Sequence, residues 1–206
     1  MDDAPLKLEI DIPDLRTVQA QLLGMHKKAP AVLRKSINAT IRHVSSDIGK
    51  QAKKKYIVRQ PEIKKTLHIK KASNQDLTGV VSSGADQKVR LYGFVVKPKE
   101  VITDPAAKPE AYMARLKKRI KAKKLTGSSD RSKAFIAQMA SGHIGVFQRQ
   151  KGRRTRGGKE PLAEMYGMSI PSMIRDKEVA LEIQEEGQKF LHAQINKNIE
   201  RVLGIK

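Results

Sequence analysis

The sequence predicts an α+β protein in which a small antiparallel sheet packs against a long N-terminal helix and a C-terminal helix. Three patterns lead to this prediction. Apolar and polar residues alternate in several short segments, apolar residues recur every three or four positions over residues 33–56, and a second helical pattern closes the chain. The length of 206 residues fits a single α+β domain over 1–206.

The chain begins with a predicted strand and a short helix. Residues 6–12 alternate between apolar and charged side chains, as expected of a strand with one buried face. Pro13-Asp14 then favours a helix start, because Asp caps free amides and Pro is tolerated in the first turn. Apolar residues follow at helical spacing over 15–25, and Pro30 either starts a second helical segment or kinks the first.

A long helix is predicted from Leu33 to Tyr56. Its apolar stripe is formed by Leu33, Ile37, Ile41, Val44, Ile48, Ala52 and Tyr56. The cations around this stripe are Arg34, Lys35, Arg42, Lys50, Lys53, Lys54 and Lys55. We therefore expect one face of the helix to pack on the sheet and the outer face to be basic.

The middle of the chain predicts an antiparallel meander. A short helical turn is expected after Gln60-Pro61, and strands are predicted over 66–72, 77–82 and 89–97. Polar turn-forming residues separate these segments. Residues 98–133 then allow two structures, a helix built on Tyr112, Leu116 and Ile120 or an extended hairpin. We expect this basic insertion to be flexible, or to order only within an assembly.

The last third predicts a hairpin, a basic loop and a helix. Residues 134–140 and 143–148 form two predicted strands across a Ser141-Gly142 turn, and we expect His143 to make a hydrogen bond that fixes this hairpin. The loop 149–159 is rich in glycine and cations and has no apolar residue. The apolar positions of the predicted C-terminal helix are Ile174, Val179, Ile183, Phe190, Ile195, Ile199 and Leu203.

The formal net charge of +21 is concentrated in two segments. Residues 26–71 and residues 116–160 each contain fourteen Lys and Arg against two acids, whereas the rest of the chain is close to neutral or mildly acidic. A field of one sign on this scale indicates a polyanionic partner, or an assembly that holds many positive groups near one. Aromatic residues are 4% and Trp is absent, so the stacking platforms of single-strand binders are scarce.

The sequence offers no pattern typical of an enzyme. Without cysteine there are no disulfides, thiolate nucleophiles or Cys-ligated zinc, and the five histidines are too far apart in sequence for a metal motif. The acids Glu178, Glu182, Glu185 and Glu186 fit a solvated helix face. We expect no catalytic residues, no cofactor and no metal. No apolar run reaches the length of a membrane span, and the acidic start lacks the features of a secretory signal.

The basic loop at 149–159 allows two interpretations. It is either an exposed, solvated loop, or a loop that contacts phosphates without reading base sequence. No recognition helix or aromatic RNA motif accompanies it. Any contact with DNA is therefore expected to be independent of sequence.

Five blocks taken together resemble the phage minor tail protein Z family. They are Leu33–Thr40, Ser82–Gly84, Leu91–Phe94, Ala134–Arg149 and Glu164–Met173, in the order of that family. Position 168 is Met where the family pattern has Pro, which affects one turn. The resemblance covers nearly the whole chain and is weakest over 98–130.

The resemblance implies a structural virion protein that acts in tail completion near the head–tail joint, with a fold similar to tail-terminator and head–tail joining proteins. It implies a homo-oligomeric ring around the DNA channel, with a hexamer favoured, and contacts with other tail and neck proteins. The protein would be assembled in the bacterial host cytoplasm and reside in the virion tail. The alternative function is a sequence-independent nucleic-acid-binding protein without a virion role.

Double-stranded DNA is then the expected polyanion, and no membrane is involved. The residues expected to face it are Lys117, Lys118, Arg119, Lys121, Lys123, Lys124, Arg149, Lys151, Arg153, Arg154 and Arg156. We also expect the Glu-rich face of the C-terminal helix to pair with a basic segment of a neighbouring subunit or a neck partner.

Overall fold

The computed structural model describes residues 6–7, 15–22, 26–84 and 88–204. These residues form an α+β protein with a long N-terminal helix, a C-terminal helix and small antiparallel sheets, which confirms the predicted fold class. They divide into two compact units. The first contains the described residues of Met1–Lys53, Arg59–Gln87 and Ile170–Lys206, and the second consists of Lys54–Val58 and Lys88–Ser169.

The first unit contains most of the helical structure. Its elements are β1 (Leu6–Lys7), α1 (Leu15–Gln21), a 3-10 turn (His26–Lys28), α2 (Ala29–Lys55, with its last two residues in the second unit), α3 (Gln60–Thr66), β2 (Leu67–Lys70), β3 (Val80–Ser83), α4 (Ile170–Ile174) and α5 (Lys177–Leu203). The strand β3 lies between β1 and β2 and is antiparallel to both. The rest of the first predicted strand, residues 8–12, lies outside the described residues, as do Pro13, Asp14 and Met25.

The helix α2 confirms the predicted apolar stripe. All seven stripe residues are buried, and Pro30 stands in the first turn, so it starts this helix rather than kinking a longer one. Gly79 lies directly against the stripe, because a Cβ atom there would overlap Ile41 and Ile37. Asn38 holds the chain after β2, since its side-chain amide accepts a hydrogen bond from the Ala72 amide and donates one to the Ala72 carbonyl.

The helices α2 and α5 contact each other at two polar or aromatic points. Asn198 Nδ2 donates a hydrogen bond of 2.9 Å to Ser36 Oγ, and both side chains are buried. The rings of His43 and Phe190 stack in parallel with their centroids 4.0 Å apart. Ser36 precedes His43 on α2, whereas its partner Asn198 follows Phe190 on α5. The two helices are therefore antiparallel.

The C-terminal helical segment differs from the prediction at its start. Ile174 belongs to α4, and α5 begins only at Lys177, where the Asp176 carboxylate accepts a hydrogen bond from the Glu178 amide. Asp is a preferred residue at this position because it satisfies an amide that the first turn leaves unpaired. The sequence pattern did not separate the two helices because Ile174 and Val179 are both buried.

The turn between β2 and β3 is held by Asp76. Lys70 Nζ lies 2.9 Å from Asp76 Oδ2, and the Thr78 amide donates to Oδ1 at 3.0 Å. The Lys70 ammonium first, and then Thr78, lower the pKa of Asp76 from 3.8 to about 2. Because the folded-state pKa is lowered, these bonds stabilise the turn at neutral pH and are lost as the pH falls from 3.8 towards 2.

The second unit is built from short strands. Its elements are β4 (Lys88–Arg90), a 3-10 turn (Leu91–Gly93), β5 (Val95–Lys97), β6 (Met113–Arg115), β7 (Lys123–Lys124), β8 (Phe135–Gln138), β9 (Ile144–Arg149), β10 (Leu162–Glu164) and β11 (Tyr166–Ser169). They form sheets in the orders β5-β6-β7, β10-β9-β8 and β11-β4, all antiparallel. The predicted hairpin at 134–148 is confirmed as β8 and β9.

The predicted three-strand meander is wrong in its third strand. Residues 89–97 are interrupted at Leu91–Gly93, and the two halves pair with β11 and β6 rather than with β3. The physical reason is that Leu91 and Phe94 are both buried. Residues three apart point to opposite faces of a strand but to the same side of a 3-10 turn. The strand predicted over 77–82 is also shorter, because β3 begins at Val80.

Of the two structures that the sequence allowed for 98–133, the extended one is present. The strands β6 and β7 pair antiparallel, with Met113 opposite Lys124. None of Tyr112, Leu116 and Ile120 lies in a helix, and Tyr112 is buried while Ile120 is 49% exposed. The extended form is held by β6, which pairs with β5 on one side and with β7 on the other.

Replacing Asn198 by Ala is expected to lower the free energy of unfolding by about 1–2 kcal/mol, because the buried Ser36 hydroxyl loses its donor. Asn196 lies two residues away on α5 and is exposed, so Asn196→Ala is a matched control with the same gain in helix propensity. The measurement is the urea midpoint followed by circular dichroism. Equal midpoints for the two variants would contradict the proposed role of this hydrogen bond.

Candidate nucleic-acid interface

The basic loop at 149–159 forms the end of a hairpin. Strand β9 pairs with β8 on one side and with β10 on the other, with Arg149 opposite Leu162. Arg149 is the last residue of β9, and the Gln150 amide donates to the Pro161 carbonyl at 2.9 Å. The paired strands therefore fix the two ends of the loop.

Inside the loop, two glycines allow a tight turn. The Gly158 amide donates to the Thr155 carbonyl at 2.9 Å, and the Thr155 amide donates to the Lys159 carbonyl at 2.8 Å. Gly152 and Gly158 have φ angles of 74° and 73°, which side chains with a Cβ rarely adopt. The loop is thus a defined turn whose residues 151–159 are all exposed.

Three of the six cations of the loop are oriented by neutral oxygens. Lys151 Nζ donates to the Ser128 carbonyl at 2.9 Å, Arg153 donates to Gln150 Oε1 at 3.3 Å, and Arg154 donates to the Gly158 carbonyl at 3.0 Å. Because these acceptors carry no charge, the bonds hold the side chains without neutralising them. Arg149 lies over the Phe135 ring, 5.5 Å from its centroid.

The Asp130 carboxylate lies beside the base of the loop, and Glu160 follows the loop in sequence. The backbone carbonyl of Asp130 accepts a hydrogen bond from the Lys151 amide at 2.9 Å. The side-chain carboxylate of Asp130 accepts a hydrogen bond from the Ser128 hydroxyl at 2.6 Å. The Ser128 hydroxyl is the main reason that the pKa of Asp130 lies below its usual value, and Arg131 contributes. Asp130 is therefore ionised at neutral pH and lowers the positive potential at the base of the loop.

The second group of predicted DNA-facing residues lies on a different sheet. Lys117, Lys118, Arg119 and Lys121 are in the connection between β6 and β7, and Lys123 and Lys124 form β7 itself. The connection is tied to the end of α2, because the Lys118 amide donates to the Lys55 carbonyl and the Ile57 amide donates to the Leu116 carbonyl, both at 2.9 Å. Lys117 Nζ lies 5.1 Å from the centroid of the Tyr56 ring.

Three residues of this second group, Lys117, Lys121 and Lys123, line an open groove of about 340 Å³. The apolar residues that line it are Leu91, Ala114, Leu116, Leu125, Met165 and Met168, together with the exposed Ile120 and Tyr166 at its mouth. Four of its lining residues are cations: Arg115, Lys117, Lys121 and Lys123. The described residues that line the groove include no acid. We call this feature the cation-rimmed groove.

Sequence reasoning missed the groove because its walls come from distant segments. Met165–Met168 reach it through the pairing of β11 with β4, about 75 residues earlier in the chain. Gly167 allows this approach, since a Cβ atom there would overlap the Phe94 ring. No pattern within a single sequence segment predicts that these residues meet.

The hairpin that carries the loop is anchored through Glu164. The hydrogen bond predicted for His143 is present, and it joins His143 Nε2 to Glu164 Oε1 on β10 at 2.8 Å. Arg90 Nε lies 3.6 Å from Glu164 Oε2. Gly145 leaves the space for this carboxylate, because a Cβ at Gly145 would lie 2.8 Å from Glu164 Oε1 and 2.9 Å from Phe147 Cζ.

The described residues show neither a metal-binding cluster nor a membrane-spanning helix. Within the described residues, no three His, Asp or Glu side chains are grouped so that they could hold a metal ion. In the same part of the chain, no helix has both the length and the apolar character needed to cross a membrane.

Comparison with known proteins found no match among family models, curated proteins or solved structures.

Replacing Gly145 by Ala is expected to lower the free energy of unfolding by about 1–3 kcal/mol, because the new methyl group displaces Glu164 or Phe147. Gly157→Ala is the matched control: Gly157 lies in the loop with open space around it, and we expect its midpoint to change little. Thermal and urea unfolding measure both. A Gly145→Ala midpoint as high as that of the control would show that the carboxylate does not need this space.

Proposed function

We propose that this chain is a structural subunit of a long-tailed phage virion that acts in tail completion near the head–tail joint, and that its basic loop faces double-stranded DNA. The observation that carries the DNA part of the proposal is the loop itself. It has six cations over 149–159, no acid and no apolar residue, and it stands at the end of a paired hairpin.

The chemistry of the loop suits a phosphate backbone rather than base edges. Arg and Lys contact phosphates without reading sequence, and such contacts supply most of the non-specific affinity of DNA-binding proteins. The guanidinium of Arg154 donates to a backbone carbonyl of the turn, which limits the conformational freedom lost on binding. The function proposed here is performed by shape and charge and includes no catalytic step.

The virion role is supported by the resemblance to the minor tail protein Z family over five ordered blocks. A closed ring, for which a hexamer is favoured, would repeat the loop once per subunit around a central duplex. Weak binding by each loop would then be sufficient, because the copies act together on one polyanion. The partners in this proposal are further copies of the chain, other tail and neck proteins, and the DNA.

Replacing Arg153, Arg154 and Arg156 by Ser is expected to weaken duplex binding and to reduce its salt dependence. If each arginine contacts one phosphate, the slope of log affinity against log salt should fall by about 3. Fluorescence anisotropy of a labelled duplex at several salt concentrations measures both quantities. Two unrelated duplex sequences should behave alike, because the loop reads no bases.

The matched control removes the same charge elsewhere. Lys35, Arg42 and Lys50 are exposed on α2, and their replacement by Ser changes the net charge by the same amount. We expect this variant to keep most of the salt slope. Equal losses in the two triple variants would mean that only the overall charge matters and that the loop is merely solvated.

The virion role has a separate test. Electron microscopy of particles that carry a labelled copy of the chain should show the label at the joint between tail and head, and particles made without it should accumulate as unjoined heads and tails. A chain that binds duplex DNA but is absent from the particle would favour the alternative, a sequence-independent nucleic-acid-binding protein without a virion role.

A further inference from the structure

The cation-rimmed groove combines two properties that the basic loop lacks. Its floor is apolar, and its mouth carries Ile120 and Tyr166, each 49% exposed. Exposed apolar side chains beside a groove are typical of a surface that binds another protein. A DNA backbone would satisfy the cations but has no apolar group of matching size for the floor. The groove therefore suits an acidic protein surface with an apolar residue at its centre.

The first unit presents such a surface on α5. Leu181 is 57% exposed, the most exposed large apolar side chain among the described residues. Glu178 and Glu185 lie three residues before it and four residues after it, so they share its face of the helix with Lys177, and the acids outnumber this cation. Glu182 and Glu186 are also exposed along this part of α5. We call this surface the Leu181 face.

We propose that the Leu181 face of one copy of the chain docks into the cation-rimmed groove of a second copy. Leu181 would enter the apolar floor, and the surrounding carboxylates would meet the cations at the rim. This is the helix-in-groove mode of recognition, with complementary charge fixing the partner and the orientation. The inference rests on the proposed function, because it supplies the subunit contact of the proposed ring.

The contact joins two different surfaces, so each copy offers one groove and one helix face. Such heterologous contacts form a ring when the rotation closes, and an open chain when it does not. The ionic part of the contact is screened by salt. We therefore expect self-association to weaken as the salt concentration rises.

Replacing Leu181 by Ala tests the apolar part of the contact. Ala is the best helix former, so α5 is expected to fold normally. Losing the buried leucine should weaken self-association roughly ten- to a hundredfold, measured by sedimentation over a range of concentrations at low salt. Leu162 is also exposed but does not line the groove, so Leu162→Ala is the matched control and should leave the association unchanged.

Cross-linking between copies tests the pairing directly. The chain has no cysteine, so each introduced thiol is the only one in its copy. Leu181→Cys protein mixed with Ile120→Cys protein should give a mixed dimer with a short bis-maleimide. Leu181→Cys mixed with Leu162→Cys should not. Because each thiol is on a separate copy, a contact within one chain cannot give this product.

The other results separate the possible failures. If the wild type assembles but the Leu181 variants behave like the Leu162 controls, the contact is wrong while the proposed ring stands. If the wild type is a monomer at every concentration, with and without duplex DNA, the ring fails and the inference fails with it. If Lys121→Glu lowers duplex affinity without changing sedimentation, the groove binds DNA and not a second copy.

Discussion

Burial of the apolar stripe of α2 is the constraint on which the first unit depends. A helix of 27 residues with one apolar face must be covered along its whole length, since each exposed Leu or Ile would cost about 1.5–3 kcal/mol. The cover comes from α5, which runs antiparallel along α2, and from the chain around Gly79, where the missing side chain permits close approach. Ser36 and Asn38 extend from the same helix and fix this cover by hydrogen bonds. The cations Lys35, Arg42 and Lys50 are consequently left on the exposed side of α2.

The second unit is built from short strands rather than around one long amphipathic helix. Residues 116–160, which contain fourteen cations, adopt short strands and turns. Paired backbone groups and a few buried side chains, such as Val146 and Phe94, then hold the sheets together. The extended chain places basic side chains on strand ends and connections, where they remain exposed. Folding and the display of charge are therefore compatible in this unit.

Elements formed by contacts between residues close in sequence could be predicted, whereas elements that depend on contacts between distant residues could not. The stripe of α2 and the hairpin β8–β9 follow from spacing within a single segment, and both are confirmed. The break at Leu91–Gly93 depends on Phe94, whose ring lies against Gly167 more than 70 residues later. No local pattern could reveal that contact. The same holds for the groove, whose cations were visible in the sequence while its apolar floor was not.

The two groups of cations differ in what surrounds them, and this difference favours a different partner for each group. In the loop, Arg153 and Arg154 bond to neutral oxygens, and no apolar residue lies within 149–159, so binding there gains its free energy from charge alone. A phosphate backbone offers that interaction at regular intervals. At the groove, the cations lie beside Leu116 and Met165. Burial of these two side chains adds to the free energy of binding only when the partner has an apolar side chain. A single basic surface of eleven residues is thus better understood as two surfaces. We therefore propose that the loop faces DNA and that the groove binds a neighbouring subunit, because a protein surface offers both acidic and apolar side chains.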